Sequence, residues 1–157
     1  MSALTGSQHV VRIERTLPAS AHQVYRAWLE PELIGRWLAP GSYEVTRVEV
    51  EERVGGRYRV WQANGGLPVG GFECQILELV PDRRIVWRWG FAGPDRENGP
   101  VYDSRLTITL RDAPGGGTTL ILVQERLDEL AAALPEVAGQ VGSGWADVVT
   151  KLAGILG

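Results

Sequence analysis

The chain has 157 residues, of which 44% are hydrophobic and 22% charged, as expected for one globular domain that buries its own core. Its net charge of −3 argues against nucleic-acid binding, because neutralising phosphates requires a basic surface. The start of the chain does not resemble a signal peptide, no apolar run could span a membrane, and the single Cys74 excludes an internal disulfide, so we expect a cytoplasmic protein.

The N-terminal residues predict a tail, a strand and a broken helix. Residues 1–8 are small and polar and predict a flexible tail, followed by a single domain over residues 9–157. The alternation within residues 9–17 predicts the first strand. Ser20 is a candidate N-cap of a helix that ends before Pro31, and this proline opens a second short helix.

From Ser42 to about Arg126 the hydrophobic pattern changes to period two. Glycine-rich turns and the segment "ANGG" separate about six antiparallel strands. A change of phase near Arg47 predicts a β-bulge. Three arginines and two glutamates are expected to share the outer face of the sheet, as ion pairs in preference to an anion site. They are Arg59, Arg88, Arg105, Glu73 and Glu125.

Apolar residues recur every three or four positions from Val137 to Ile155 and predict a long C-terminal helix. The segment "GQVGSGW" is rich in glycine, and each interior glycine costs about 1 kcal/mol relative to alanine. Small residues there indicate close approach of a strand or of a ligand. The predicted fold class is α+β, with a curved antiparallel sheet of about seven strands around this helix and two short helices after the first strand.

Several motifs resemble a known family. The helix pair matches a Val-x-x-Ala-Trp-x-x-Pro-Glu-Leu-x-x-x-Trp-x-x-Pro pattern through Val24, Ala27, Trp28, Pro31, Glu32, Leu33, Trp37 and Pro40. The segments "VGGRYRV", "LVPDRRIVWRW" and "GSGWADVVTKLAGIL" follow in the family's order. The sequence therefore resembles the C-terminal domain of the activator of the heat-shock protein 90 ATPase, within the START-like, Bet v 1-like helix-grip group.

This resemblance implies a helix-grip fold and leaves several functions open. Members of the group include carriers of hydrophobic ligands, polyketide cyclases and co-chaperone domains, so fold alone does not select a function. The family often has a histidine four residues before the closing tryptophan, where this chain has Val141. The co-chaperone also has a second, chaperone-binding domain. A chaperone partner is therefore a weaker expectation than a small hydrophobic molecule.

Six tryptophans against two phenylalanines indicate an aromatic interior. Trp28 is expected in the core, whereas Trp37, Trp87 and Trp89 are equally consistent with core packing and with a ligand cavity between sheet and helix. Trp37 would cap the cavity mouth. The candidate ligand-binding residues are Trp37, Tyr58, Phe72, Trp87, Trp89, Tyr102, Val141 and Trp145.

The favoured function is binding of a small hydrophobic or aromatic ligand without catalysis. A cyclase- or dehydratase-type enzyme is the alternative, with Tyr58, Glu73, Tyr102 or Asp103 as conceivable acid–base groups. No metal or other cofactor is predicted, because neither His9 nor His22 has a ligand partner nearby in the sequence. A homodimer through open sheet edges is compatible with the strand-rich pattern.

Overall fold

The computed structural model describes residues 10–157 and confirms the α+β, helix-grip expectation. The strands are β1 (Val10–Leu17), β2 (Glu44–Val50), β3 (Arg57–Asn64), β4 (Leu67–Val80), β5 (Arg84–Ala92), β6 (Val101–Asp112) and β7 (Thr118–Glu125). The helices are α1 (Ala21–Leu29), α2 (Pro31–Ile34), α3 (Asp128–Ala133) and α4 (Pro135–Leu156). The tail predicted for residues 1–8, and His9, lie outside the described residues. No helix within residues 10–157 combines the length and apolarity needed to cross a membrane.

The seven strands form one antiparallel sheet in the order β1-β7-β6-β5-β4-β3-β2. Its inner face carries the alternating apolar side chains, which include Tyr58, Trp87 and Leu106, all fully buried. Its outer face carries the intervening charged residues, as the alternation predicts. The predicted bulge near Arg47 is confirmed by a register shift between β2 and β3.

The two short helices follow the local capping rules. Ser20 and Gln23 form a capping box at the start of α1, in which each side chain bonds the other residue's backbone N–H. The chain becomes extended at Glu30, and Pro31 opens α2 at a position that needs no N–H donor. The helix α2 ends at Ile34 and is shorter than the sequence predicts, so Trp37 lies in the turn that follows it.

The helix α4 is fastened to the turn after α2 by two of its own side chains. Lys151 Nζ donates to the carbonyl oxygens of Ala39 and Gly41, at 2.5 and 2.8 Å. Asp147 Oδ2 accepts from the Gly41 backbone N–H at 2.6 Å. These charged hydrogen bonds hold the segment that contains Trp37 against α4.

Two features of the C-terminal part differ from the sequence expectations. The short helix α3 was not predicted; its N-cap Leu127 follows Arg126, whose φ of 61° places it in the left-handed region. The glycines of α4 are not required by packing against a strand. A Cβ on Gly139 would meet nothing within 4 Å, and a Cβ on Gly142 would meet only Val11 Cγ1, at 4.0 Å.

We therefore expect Gly139→Ala to stabilise the protein by about 0.5–1 kcal/mol, because alanine loses less backbone entropy in a helix. Urea unfolding followed by far-ultraviolet circular dichroism measures the change. The matched control is Gly55→Ala, where φ is +84° and a side chain is strained, so this variant should be destabilised. A loss of stability in Gly139→Ala would contradict the open space around this position.

Candidate functional site

A cluster of tryptophans fills the space between the sheet, α1 and α4. The Trp28 ring centroid lies 4.6 Å from that of Trp37, 5.5 Å from that of Trp87 and 6.0 Å from that of Trp145. Trp89 continues the cluster, with its centroid 5.4 Å from Trp87 and 5.6 Å from Trp145. These separations are typical of aromatic rings in direct contact. The cluster is therefore a packed core, which confirms the expectation for Trp28.

The eight candidate ligand-binding residues divide into two groups by burial. Five are at most 6% exposed and contact other rings of the core: Trp37, Tyr58, Trp87, Trp89 and Trp145. The other three are half-buried: Phe72, Tyr102 and Val141. Trp37 packs edge-on against Trp28 and donates from Nε1 to the Ala27 carbonyl oxygen at 3.2 Å. It thus lies in the core and not at an exposed mouth.

Three half-buried rings lie side by side on the inner face of neighbouring strands. Phe72 of β4 is the register partner of Phe91 of β5, and Phe91 is the partner of Tyr102 of β6. Aligned residues of an antiparallel sheet point to the same face. We call Phe72, Phe91 and Tyr102 the ring ladder. Phe91 was missed as a candidate, although it continues the alternation of Ile85, Trp87 and Trp89 along β5.

The ring ladder lies at the end of the sheet that α1 does not cover. The turn before α1 is fixed at the other end, where β7 begins, because Thr118 Oγ1 donates to the Ala19 carbonyl oxygen at 2.6 Å. The ladder lies where β6 begins, one row beyond Trp89. Phe72 packs on Trp89 with centroids 4.8 Å apart. The ladder therefore continues the aromatic core into solvent at this end, which we call the open end.

The first half of α4 extends beyond the core on the helix side. None of residues 135–144 is fully buried, whereas Trp145, Val148 and Val149 are. Val141 lies one turn before Trp145 and packs against the edge of the core. Val141 thus precedes Trp145 by one turn on the helix side, and Phe72 packs on Trp89 on the sheet side; we call the half-buried residues beside these two contacting indoles the apolar edge.

A chain of buried hydrogen bonds joins α4 to three strands beside this edge. Trp145 Nε1 donates to Gln124 Oε1 at 2.6 Å, and Gln124 Nε2 donates to Ser104 Oγ at 2.8 Å. Ser104 Oγ then donates to the Trp89 carbonyl oxygen at 2.9 Å. Gln124 and Ser104 are 4% and 7% exposed, so each group needs its partner. The chain fixes the orientation of the Trp145 indole and connects it, through Gln124 and Ser104, to the backbone of Trp89.

Two ionisable groups of the inner face, Tyr58 and Cys74, are buried and held neutral. Burial raises the pKa of the Tyr58 hydroxyl well above its usual range, and this hydroxyl donates to the Trp28 carbonyl oxygen at 2.7 Å. Burial likewise raises the pKa of the Cys74 thiol, which makes it a poor nucleophile. Neither group is available for acid–base chemistry near neutral pH.

The charged residues predicted for the outer face lie there, and Asp103 joins them as the partner of Arg88. Arg59 Nε lies 2.9 Å from Glu73 Oε1, and Arg88 Nη1 lies 2.6 Å from Asp103 Oδ1. Arg105 and Glu125 are register partners. Burial raises the pKa of Glu73, but hydrogen bonds from Arg96 and Arg59 outweigh it and hold this pKa below its usual range. Glu73 and Asp103 therefore face away from the inner edge, and of the four conceivable acid–base groups only Tyr102 borders the open end.

The described surface includes two depressions, one at the β3–β4 hairpin and one beside β5, β6 and α3. One, of about 270 Å³, is bordered by the β3–β4 hairpin and the β5–β6 loop, through Trp61, Gln62, Gly70, Pro94 and Arg96 among others. The other, of about 580 Å³, has walls that include the outer-face residues Arg88 and Arg105 and the start of α3. Within residues 10–157 no three His, Cys, Asp or Glu side chains are grouped as metal ligands. Neither depression is lined by a residue of the ring ladder.

Comparison with known proteins agrees with this architecture. Residues 18–157 match the family described as Activator of Hsp90 ATPase homolog 1-like protein. The chain belongs to this family. Among curated proteins, none matches the sequence significantly.

Solved structures related to this member of the Activator of Hsp90 ATPase homolog 1-like family share its fold. A protein from Chromobacterium violaceum is 31% identical, with 94% of this chain and 97% of that chain covered and a TM-score of 0.75. A protein from Nitrosomonas europaea is 20% identical, with 96% and 95% covered and a TM-score of 0.77. A protein of the dynemicin biosynthetic locus, DynU16, is 22% identical, with 92% and 46% covered and a TM-score of 0.66.

The buried hydrogen bonds of Gln124 lead to a prediction for the stability of the fold. Gln124→Met keeps the side-chain length but leaves the indole N–H of Trp145 without its acceptor, so we expect a loss of about 1–3 kcal/mol in the free energy of unfolding. Urea unfolding monitored by tryptophan emission measures it. Gln140→Met, on the exposed side of α4, is the control and should change stability little. Equal stability of both variants would contradict the structural role given to Gln124.

The buried thiol makes a prediction for pH dependence. Folding raises the pKa of Cys74, so its contribution to stability is complete below the pKa of an unfolded thiol, about 8.5, and declines as the pH rises above it. We expect the decline to approach about 1.4 kcal/mol per pH unit between roughly pH 9 and 10. Urea unfolding under reducing conditions should show a flatter profile for Cys74→Ala. Identical slopes for the two proteins would contradict the buried, neutral thiol.

Proposed function

We propose that this protein binds a small hydrophobic or aromatic molecule at the open end, between the ring ladder and the first half of α4. The observation that carries the proposal is the ladder itself, in which three aromatic side chains remain half-buried beside a closed indole core. Aligned aromatic rings at the edge of a core offer apolar area that a ligand can remove from water.

The predicted ligand-binding residues then have two different roles. Phe72, Tyr102 and Val141 would contact the ligand directly, together with Phe91. Trp89 and Trp145 would form the floor, because they are the innermost rings in contact with this edge. The remaining residues, Trp37, Tyr58 and Trp87, would belong to the closed core behind Trp89 and would not contact the ligand.

The chemistry of the site favours binding over catalysis. Affinity would come mainly from apolar burial, at roughly 25 cal/mol per Å². Of the conceivable acid–base groups, Glu73 and Asp103 pair with arginines on the outer face and Tyr58 is fully buried, so only Tyr102 borders this edge. The family resemblance also supports a hydrophobic ligand. The cytoplasmic location and the homodimer stay predictions.

We expect the neutral fluorescent probe N-phenyl-1-naphthylamine to bind the protein and to accept energy from tryptophan. Tyr102→Ala should weaken its binding about tenfold, since losing a ring contact of about 1.4 kcal/mol corresponds to that factor. Fluorescence titration measures the dissociation constant. Val54→Ala is the control, because Val54 is 61% exposed in the turn between β2 and β3.

The site would be wrong if Tyr102→Ala and Val54→Ala bound the probe equally well, or if the folded protein did not bind it. Native mass spectrometry of the purified protein provides a second measurement. A co-purified small molecule whose occupancy falls in Tyr102→Ala would support the same site.

A further inference from the structure

We propose that Arg96 is a positioning residue for the ligand site, because it fastens the loop between two rings of the ladder to the strand that carries the third. This inference rests on the proposed function. Its starting point is the β5–β6 loop, residues 93–100, which joins the end of β5 after Phe91 to the start of β6 before Tyr102. Any displacement of this loop therefore acts on two ladder residues.

Arg96 extends from this loop onto β3 and β4 and is almost completely buried, with 10% of its side chain exposed. Its Nη1 donates to the Val60 carbonyl oxygen at 2.7 Å. Its Nη2 donates to the Phe72 carbonyl oxygen at 2.9 Å and to Glu73 Oε1 at 2.7 Å. One guanidinium thus connects the loop to the backbone of the third ladder residue.

The strands are shaped to admit this side chain. Gly71 has a φ of +150°, and a Cβ there would lie 2.9 Å from Arg96 Nη1 and would collide with the Val60 carbonyl oxygen. Gly70 has a φ of +114°, and a Cβ there would collide with the carbonyl oxygen of Ala92, at the end of β5. Both glycines therefore permit the close approach of the loop to the hairpin.

The outer face holds the guanidinium in place. The Cζ atom of Arg96 lies 4.6 Å from the ring centroid of Trp61, in a cation–π contact. Its Nε is buried and finds no acceptor among residues 10–157. An unpaired buried donor opposes stability. Arg96 thus keeps the hydrogen bonds of Nη1 and Nη2 to Val60, Phe72 and Glu73 even though its Nε has no acceptor.

Lysine could not reproduce this arrangement. A guanidinium donates from several nitrogens in a fixed plane, whereas an ammonium is a compact charge on a flexible stem. The arginine can therefore fix the orientation of the loop as well as its distance from β3 and β4. The described contacts make Arg96 the link between the loop and the ladder, so its loss should make the rim of the site mobile.

The test measures the rates at which N-phenyl-1-naphthylamine binds to and leaves the full chain in stopped-flow fluorescence. Because the probe is neutral, the charge of Arg96 does not attract it directly. We expect Arg96→Gln to raise the association and dissociation rate constants by roughly threefold or more. Hydrogen exchange of the amides of residues 91–102 should become faster as well.

The matched control is Arg47→Gln. The Arg47 guanidinium also lies over Trp61, at 4.8 Å, but its side chain is 66% exposed and it pairs with Glu49 and not with the loop. This variant should keep the wild-type binding rates. If Arg96→Gln does not fold, Arg96→Lys serves in its place, with the same expected direction.

The outcomes separate the two proposals. If the wild type binds the probe but the rates of Arg96→Gln and Arg96→Lys equal those of Arg47→Gln, the positioning role is overturned and the ligand site stands. A lower melting temperature with unchanged rates would also overturn it, since that result describes a contact that acts on stability alone. If the wild type does not bind the probe, the proposed function fails and this inference fails with it.

Discussion

The packing of Trp28 against three other indoles is the constraint on which the rest of the structure depends. Trp28 belongs to α1, and its ring contacts Trp37 after α2, Trp87 of β5 and Trp145 of α4. Its backbone carbonyl oxygen also accepts the hydroxyl of Tyr58 from β3. Five elements thus meet at one residue, and the break at Pro31 lets the second short helix bring Trp37 to it. Such a core sets the distance between sheet and C-terminal helix.

This closed core also explains why a ligand site is expected at one end of the sheet. The aromatic rings between the sheet, α1 and α4 contact one another, so a bound molecule there would have to displace them. At the open end the same aromatic surface continues as half-buried rings, and the first half of α4 has no fully buried residue. The protein therefore separates stability, provided by the indole cluster, from the surface proposed for binding.

Much of the fold could be predicted from local patterns. The alternation of residues 105–110 predicted that Leu106 and Ile108 are buried, and the phase change at Arg47 predicted a bulge, because both signals depend on the two-residue period of a strand.

Other features could not be predicted from the sequence. The helix α3 was missed, since six residues are too few for a periodic signal. The burial of Trp37 could not be decided either, because it depends on how the segment after α2 folds back so that its ring packs on Trp28 of α1. The contacts of Arg96 could likewise not be predicted from the sequence, because its hydrogen-bond partners lie 23 to 36 positions earlier in the chain.

The most direct test of the account is a ¹H–¹⁵N nuclear magnetic resonance spectrum of the six indole N–H groups during titration with N-phenyl-1-naphthylamine. We expect the signals of Trp89 and Trp145 to shift most, because they would form the floor of the open end, and those of Trp28 and Trp37 to shift least. Large shifts of Trp28 and Trp37, or shifts confined to Trp61 on the outer face, would contradict it.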